Sequence, residues 1–264
     1  MKVGLIVIGD EILSGKRVDK HLARFIELLS ERGMQLSWAK YIGDDREHIA
    51  AELKQAFDSG DLVISCGGIG ATPDDHTRQA AARALGRDLV LHREARELIW
   101  QRVQQMAAEQ GREVDEHHPD TLRRFEMGMF PAGAAIVPNP YNKIPGFSVG
   151  TVYFVPGFPV MAHPMMAWVL DEKHRALHRE RANAELSMIV RGAMEASLTP
   201  LMEAVEAAFP GVKVFSLPSV DHPQWGRHIE LGVKGDAGFM PSAYAMLKKG
   251  VIDFGASIDA EMVR

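Results

Sequence analysis

The sequence is poor in cysteine and in aromatic residues, and it carries no excess of basic charge. Cys66 is the single cysteine among 264 residues, which excludes an intramolecular disulfide and any metal site built from several thiolates. A net charge of −5 gives no excess of positive charge that would bind nucleic acid. No apolar segment has the length of a membrane span, and residues 1–11 lack the order of a signal peptide. We therefore expect a cytoplasmic protein that binds neither nucleic acid nor membrane.

Apolar runs alternate with amphipathic segments in the first two thirds of the chain. The pattern predicts strands at Lys2–Ile8, Gln35–Ile42 and Asp61–Cys66, and helices at Asp19–Arg32 and after Asp44 or Asp45. Strands that alternate with helices indicate a parallel sheet with right-handed crossovers. Ligands of such sheets bind beyond the carboxyl ends of the strands. We place this α/β domain at residues 1–178.

The pattern changes after about Glu180. Strands are predicted at Glu185–Gly192, Val212–Leu217, His228–Val233 and Val251–Phe254, with helices at Leu198–Phe209 and Pro241–Lys249. The order β-α-β-β-α-β is that of a ferredoxin-like fold. We therefore expect a small α+β domain at residues 179–264.

The segment Gly67–Asp75 joins an apolar strand to an alanine-rich helix through a turn that holds Gly67, Gly68 and Gly70. Glycines let the backbone approach a ligand closely, and the N–H groups of the turn can hold an anion. Asp74 and Asp75 would repel an anion unless a divalent cation bridges phosphate and carboxylate. The alternative is that Thr72 and Asp75 only cap the helix. Capping leaves the glycines unexplained, so we predict a ligand site.

Two further acidic loops follow strands at the same edge of the predicted sheet. Gly9–Gly15 carries Asp10 and Glu11, and the next loop carries Asp44 and Asp45. Each loop also has a structural alternative, a solvated turn in the first case and a helix N-cap in the second. A later proline-rich loop places Asn139 and Lys143 beside a Pro-Gly turn, where an amide and an amine can position a phosphate or a ring.

Several common catalytic motifs are missing. No lysine follows the glycines as in a P-loop, no Gly-x-Ser-x-Gly elbow occurs, and the first strand lacks a dinucleotide fingerprint. These absences argue against P-loop NTPases, serine hydrolases of the α/β type and Rossmann dehydrogenases.

Six segments in sequence order resemble a known family. They are Gly9–Gly15, Gly67–Asp75 with Thr77, Pro131–Ala134, Asn139, Ile144–Phe147 and Pro156–Pro159. Together they resemble the molybdopterin-binding domain of the MoaB/Mog proteins, and above all the N-terminal half of the CinA (competence/damage-inducible) proteins. The resemblance covers about Met1–Leu170. The C-terminal amidase domain of full-length CinA proteins is not expected in this sequence.

The resemblance implies a three-layer α/β/α fold and a small-molecule ligand, a nucleotide or a pterin such as molybdopterin. CinA-type domains resemble metal-dependent pyrophosphatases that act on ADP-ribose-like dinucleotides, which implies Mg²⁺, Mn²⁺ or Co²⁺. The catalytic positions would be Asp75 and Asp44, and the metal ligands Asp75, Asp44 and Asp10. The expected ligand-binding residues are Gly9, Asp10, Glu11, Ser14, Gly67, Gly68, Gly70, Thr72, Asp74, Asn139, Lys143, Pro145, Gly146 and Gly157.

Three positions depart from the family pattern. Ala71 replaces a usual proline, Asn142–Ile144 replaces a Gly-Thr-Ala-like segment, and Met161 replaces a usual glutamate. Two alternatives to hydrolysis therefore stay open, namely a module that binds a pterin or nucleotide without chemistry, and adenylyl transfer to molybdopterin. Relatives suggest a homo-oligomer, either a dimer or a trimer.

Overall fold

The computed structural model describes residues 1–178, 185–235 and 238–263. The chain divides into two compact units, Met1–His178 and Arg179–Arg264. The first unit contains strands β1 to β8, which span Val3–Ile8, Trp38–Ile42, Leu62–Cys66, Leu89–Leu91, Met129–Pro131, Ala135–Val137, Gly146–Val149 and Val152–Val155. Its helices α1 to α7 span Asp10–Leu13, His21–Ser30, Arg46–Ser59, Thr77–Leu85, Arg93–Glu109, Pro119–Phe125 and Pro159–Trp168.

A six-stranded sheet in the order β2-β1-β3-β8-β7-β6 forms the centre of the first unit. Strands β2, β1, β3 and β8 pair in parallel, whereas β7 and β6 are antiparallel to their neighbours. Strands β4 and β5 form a separate antiparallel pair that the sequence pattern did not indicate. The mostly parallel sheet confirms the predicted fold class.

The alternation of side chains along β1 builds a core on each face of the sheet. Leu5 and Val7 pack with Phe25 of α2 and Met165 of α7. Ile6 and Ile8 face the other way and pack with helices α3 and α4. All of these β1 side chains are buried, as expected for a parallel strand covered on both faces. The result is the three-layer α/β/α arrangement.

The second unit contains β9 at Glu185–Arg191, α8 at Glu195–Ala208, β10 at Val212–His222, β11 at Gly226–Gly235, α9 at Met240–Asp253 and β12 at Ser257–Val263. Its antiparallel sheet runs β10-β11-β9-β12, so the predicted β-α-β-β-α-β order is confirmed. The strand predicted at Val251–Phe254 was wrong. Val251 continues the buried face of α9 one turn after Leu247, and the closing strand comes later.

The sequence pattern predicts a helix at Val160–His178, and α7 is shorter than that segment. It ends at Trp168 and is followed by a π-helical turn at Val169–Lys173 and a 3₁₀ turn at Arg175–Leu177. The sequence pattern also predicts that Ile26 lies with Leu22, Phe25 and Leu29 on the buried face of α2, which is wrong for Ile26, since Ile26 is exposed and Leu28 is buried.

Candidate functional site

The glycine turn after β3 is packed so closely that side chains cannot be added to it. Gly67 and Gly68 have φ values of +103° and +67°. A Cβ atom would lie 2.3 Å from the carbonyl oxygen of Ile8 at Gly67, and 2.2 Å from Thr77 Oγ1 at Gly68. Thr77 fixes the turn, because its hydroxyl donates to Gly67 O and its N–H to Gly68 O, each at 3.0 Å. Glycine is therefore required here for both its conformation and its size.

The main-chain N–H groups of this turn differ in what they bind. The N–H of Gly67 donates to Val155 O at 3.0 Å and is used within the sheet. Among the described residues, no group accepts a hydrogen bond from the N–H groups of residues 68–71. Successive free N–H groups of this kind form an anion-binding concavity. The expectation that the whole turn offers N–H groups to an anion was therefore wrong for Gly67. The N–H groups of Gly68 and Gly70 have no acceptor among the described residues.

Residues 72–75 form a closed turn before α4. The carboxylate of Asp75 accepts from Thr72 N at 2.8 Å and from Thr72 Oγ1 at 2.5 Å, and Asp75 N–H donates to Thr72 O at 3.0 Å. Helix α4 begins at Thr77, after His76, and no side chain caps it. The interpretation of Thr72 as the N-cap was therefore wrong. The turn instead holds the Asp75 carboxylate beside Gly70, where an added Cβ would lie 2.6 Å from Asp75 Oδ2.

A cavity of about 350 Å³ opens in front of this turn. One wall is formed by residues 68–72 with Asp75, and much of the rest is apolar. Its lining comprises Gly68, Ile69, Gly70, Ala71, Thr72, Asp75, Met127, Asn139, Asn142, Ile144, Pro145, Pro156, Gly157, Phe158 and Met161. Asp75 is the only acidic residue among these lining residues. A cavity with a polar wall opposite apolar side chains suits a ligand that has both a charged group and a ring.

The loops after β1 and β2 meet at the same edge of the sheet. The N–H of Asp10 donates to Asp44 Oδ2 at 2.9 Å, and the N–H of Asp44 donates to Asp10 Oδ1 at 3.2 Å. Burial raises the pKa of Asp44, and the negative charges of Asp10, Glu11 and Asp74 raise it further. The negative charges around this second group, the paired loops at Asp10 and Asp44, therefore oppose the ionisation of Asp44, which a bound cation would relieve.

The carboxylates of Asp10, Asp44 and Asp75 do not form a preformed metal-binding site. Within residues 1–178, 185–235 and 238–263, no three His, Cys, Asp or Glu side chains are grouped as ligands for a metal ion. Asp10 and Asp44 lie in the second group, while Asp75 is bonded to Thr72 in the cavity wall. This donor set fits a hard cation such as Mg²⁺ that is held by one or two carboxylates together with the phosphates of a ligand.

Asn139 is buried and folds its own loop. Its amide nitrogen donates to Asn142 Oδ1 at 2.8 Å and to Ile144 O at 2.9 Å, and its Oδ1 accepts from Tyr141 N at 3.1 Å. This amide therefore fixes the shape of the cavity wall. Lys143 is exposed, has a φ of 65° and does not line the cavity. Contact between Lys143 and a ligand remains a prediction.

The cavity brings together only some of the residues that the sequence nominated. Those that line it are Gly68, Gly70, Thr72, Asp75, Asn139, Pro145 and Gly157. Those that do not line it are Gly9, Asp10, Glu11, Ser14, Asp44, Gly67, Asp74, Lys143 and Gly146. Several of the latter are structural, since a Cβ atom at Gly146 would lie 2.2 Å from Phe154 O.

Several residues around the cavity were not among the ligand-binding residues expected from the sequence. Met127 and Phe158 line it, and the amide nitrogen of Asn142 contacts the sulfur of Met161 at 3.3 Å. Arg78 lies behind the glycine turn, and its Nη2 donates to Gly70 O at 2.6 Å. An arginine one residue into a helix is usually exposed, so its position alone gives no signal of burial.

Comparison with known proteins places this architecture in a family. Residues 4–177 match the model of the family described as "Probable molybdopterin binding domain". A CinA-like protein of Geobacter metallireducens is 34% identical over 225 residues, which cover 81% of this chain and 51% of the relative. A protein of Pyrobaculum calidifontis is 31% identical over 232 residues, which cover 85% of each chain. This chain thus spans about half the length of the CinA-like relatives first matched.

A solved structure supports the same assignment. The protein CinA of unknown function from Thermoplasma acidophilum is 26% identical and superposes with a TM-score of 0.54, covering 65% of this chain and 98% of the other. The glycine turn, the sheet order and these matches agree, so the chain belongs to the molybdopterin-binding domain family and is a CinA-like member of it.

Proposed function

We propose that this protein binds a phosphate-bearing nucleotide or pterin in the cavity in front of the glycine turn. The observation that carries the proposal is the run of free N–H groups at residues 68–71, which all belong to residues that line the cavity. Such groups bind phosphate oxygens because they present several donors to one point. The apolar wall with Phe158 and Met161 would take the ring of the ligand.

We propose further that the ligand is an ADP-ribose-like dinucleotide and that its phosphoanhydride is hydrolysed. Water attacks one phosphorus atom, the bridging oxygen leaves with the other phosphate, and the proton of the water passes to solvent. Asp75, which lies beside the phosphate position, would orient that water. A divalent cation held by one or two of the carboxylates of Asp75, Asp44 and Asp10, together with the phosphates of the ligand, would offset the charge on those phosphates.

The first test is the substitution Asp75→Asn. Asparagine keeps an oxygen that can accept from Thr72, so the turn is expected to survive, but the negative charge beside Gly70 is lost. We expect turnover of ADP-ribose in the presence of Mg²⁺, Mn²⁺ or Co²⁺ to fall by a factor of roughly 10² or more. Released phosphomonoester measures the reaction, and circular dichroism checks the fold.

Asp88→Asn is the control, since Asp88 is also an exposed aspartate of the first unit, does not line the cavity and is not among the proposed site residues. It is expected to retain most of the activity. Full turnover in the Asp75→Asn protein would rule out the hydrolytic assignment.

Binding without chemistry is the second candidate, and one observation favours it. Asp75 is the sole carboxylate in the cavity lining, and the wall at Met161 offers a thioether instead of a charge. Calorimetry with ADP-ribose and a pterin, followed by product analysis after long incubation with metal ions, separates the two candidates. Tight binding with no product would select the carrier function.

A further inference from the structure

Arg78 is a buried cation whose hydrogen bonds go only to neutral groups. Its side chain lies in α4, and the residue is 4% exposed. Nη2 donates to Gly70 O at 2.6 Å, and Nη1 donates to Glu126 O. The buried Nε has no partner among the described residues. No carboxylate of the described residues is ion-paired with this guanidinium, although Asp75 and Glu126 act on it at longer range.

A buried charge without a counterion is costly, and proteins usually pair it or avoid it. Burial lowers the pKa of Arg78, and the charges of Asp75 and Glu126 only partly oppose that effect. Arginine nevertheless stays protonated in proteins. The positive charge behind the glycine turn therefore lacks a close negative partner, and residues 68–71, whose N–H groups have no acceptor among the described residues, line the cavity in front of that turn.

The hydrogen bond from Arg78 to the carbonyl oxygen of Gly70 also affects one of those N–H groups, that of Ala71. The carbonyl of Gly70 and the N–H of Ala71 belong to one peptide group. A cation bonded to the oxygen polarises that peptide and strengthens its N–H as a donor. The second bond holds Glu126 O, so one guanidinium connects the glycine turn to the segment that carries Met127, another lining residue.

We propose that Arg78 supplies the positive charge of the phosphate site and positions its donors from behind the glycine turn. The inference rests on the proposed function, because it assigns a role to Arg78 in the same site. It predicts that Arg78 contributes to affinity for the phosphate part of a ligand and little to affinity for the ring. A purely structural arginine would affect both parts alike.

The test compares three variants in the full chain. Arg78→Met removes the charge and the branched guanidinium group. Arg78→Lys keeps the charge but cannot donate to the carbonyls of Gly70 and Glu126 with the same geometry. Arg83→Met is the control, because Arg83 lies in the same helix but is exposed and paired with Glu47. Titration calorimetry is carried out with inorganic pyrophosphate, ADP-ribose and adenosine, and thermal unfolding checks that each variant is folded.

We expect Arg78→Met to weaken binding of pyrophosphate and ADP-ribose at least tenfold while adenosine binding changes less than twofold. Arg78→Lys is expected to lose less than Arg78→Met, and Arg83→Met to match the unmodified protein. If Arg78→Met does not fold, the role of Arg78 is tested with the Arg78→Lys protein, using the same comparison of ligands. Folded variants that bind pyrophosphate normally, or that lose adenosine to the same extent, would overturn the role of Arg78. A failure of the unmodified protein to bind pyrophosphate or ADP-ribose would overturn the proposed function as well.

Discussion

At the scale of single residues, the carboxylates at the edge of the sheet fall into two groups with different surroundings. Asp75 is bonded to Thr72 and lines the cavity. Asp44 is bonded to the main chain of Asp10 and lies among like charges. The sequence alone could not distinguish Asp75 from Asp44, because each follows a strand and precedes a helix.

Asp44 gives a prediction about charge. Its pKa is raised above the ordinary value of 3.8, mainly by burial, so ionisation destabilises the folded state once the pH exceeds that value. Asp44→Asn keeps an acceptor for the N–H of Asp10 but removes the charge. We expect the Tm in EDTA at pH 7 to rise by roughly 1–2 °C, because a partly exposed group contributes little.

The gain should disappear near pH 3, where the carboxyl group is protonated in both states. Added Mg²⁺ should stabilise the unmodified protein more than the Asp44→Asn protein. A lower Tm for the variant at pH 7 would contradict the role of charge repulsion.

At the scale of elements, a pair of histidines joins α2 and α7 behind the cavity. The rings of His21 and His163 lie 5.4 Å apart at an interplanar angle of 86°. His21 Nε2 bonds Gly157 O at 3.1 Å, so this contact supports a turn that lines the cavity. The other nitrogen of His21 and Nε2 of His163 are buried without a partner among the described residues. Protonation of His163 would place an unsatisfied donor in the interface.

The histidine pair predicts a dependence of stability on pH. Burial, followed by the charge of His21, lowers the pKa of His163 below its ordinary value of 6.5. The unfolded chain then binds a proton more readily, so stability is lost as the pH falls through 6.5 toward the lower pKa of the folded state. His163→Phe keeps a ring for the edge contact and removes the titration. We expect its Tm to fall less than that of the unmodified protein between pH 7.5 and 5.5.

His117→Gln serves as the control because His117 is exposed. Its pH profile should follow that of the unmodified protein. Identical profiles for all three proteins would show that the His21–His163 contact does not titrate in this range.

At the scale of the whole molecule, each unit has a hydrophobic core of its own. The first unit has a core on each face of its sheet, and the second has a separate core that includes Leu198, Leu231 and Leu247. None of the described helices is long and apolar enough to cross a membrane. A unit that buries its own core is expected to fold without its neighbour.

A fragment of residues 1–178 tests that expectation. The cores on the two faces of its sheet and all residues of the cavity lie within it. We expect cooperative thermal unfolding and an affinity for ADP-ribose within about threefold of the full chain, since no contact of the site is removed. Calorimetry and circular dichroism measure both properties. A fragment without a cooperative transition would show that the second unit is needed for the fold of the first.

The limits of sequence reasoning follow from its local character. Periodicity predicts a helix at Arg93–Gln110 with Leu98, Val103 and Met106 in its core, whereas the buried residues of α5 are Ala95, Ile99, Val103 and Ala107. Small residues satisfy a close helix contact as well as large ones do, and which face makes that contact depends on neighbours far along the chain. The same limitation hid Arg78, since its partners Gly70 and Glu126 are joined only after folding.

The sequence by itself determined the order of strands and helices, the two-part organisation of the pattern and the glycine turn, because backbone preferences and apolar spacing act between near neighbours. Only the tertiary structure decided which N–H groups stay free, which carboxylate enters the cavity and where a buried guanidinium lies. These properties depend on contacts between segments far apart in the chain, as in the hydrogen bond from Arg78 to the carbonyl oxygen of Glu126, 48 residues away. No local pattern encodes such contacts, because packing of the complete sheet and its helices sets them.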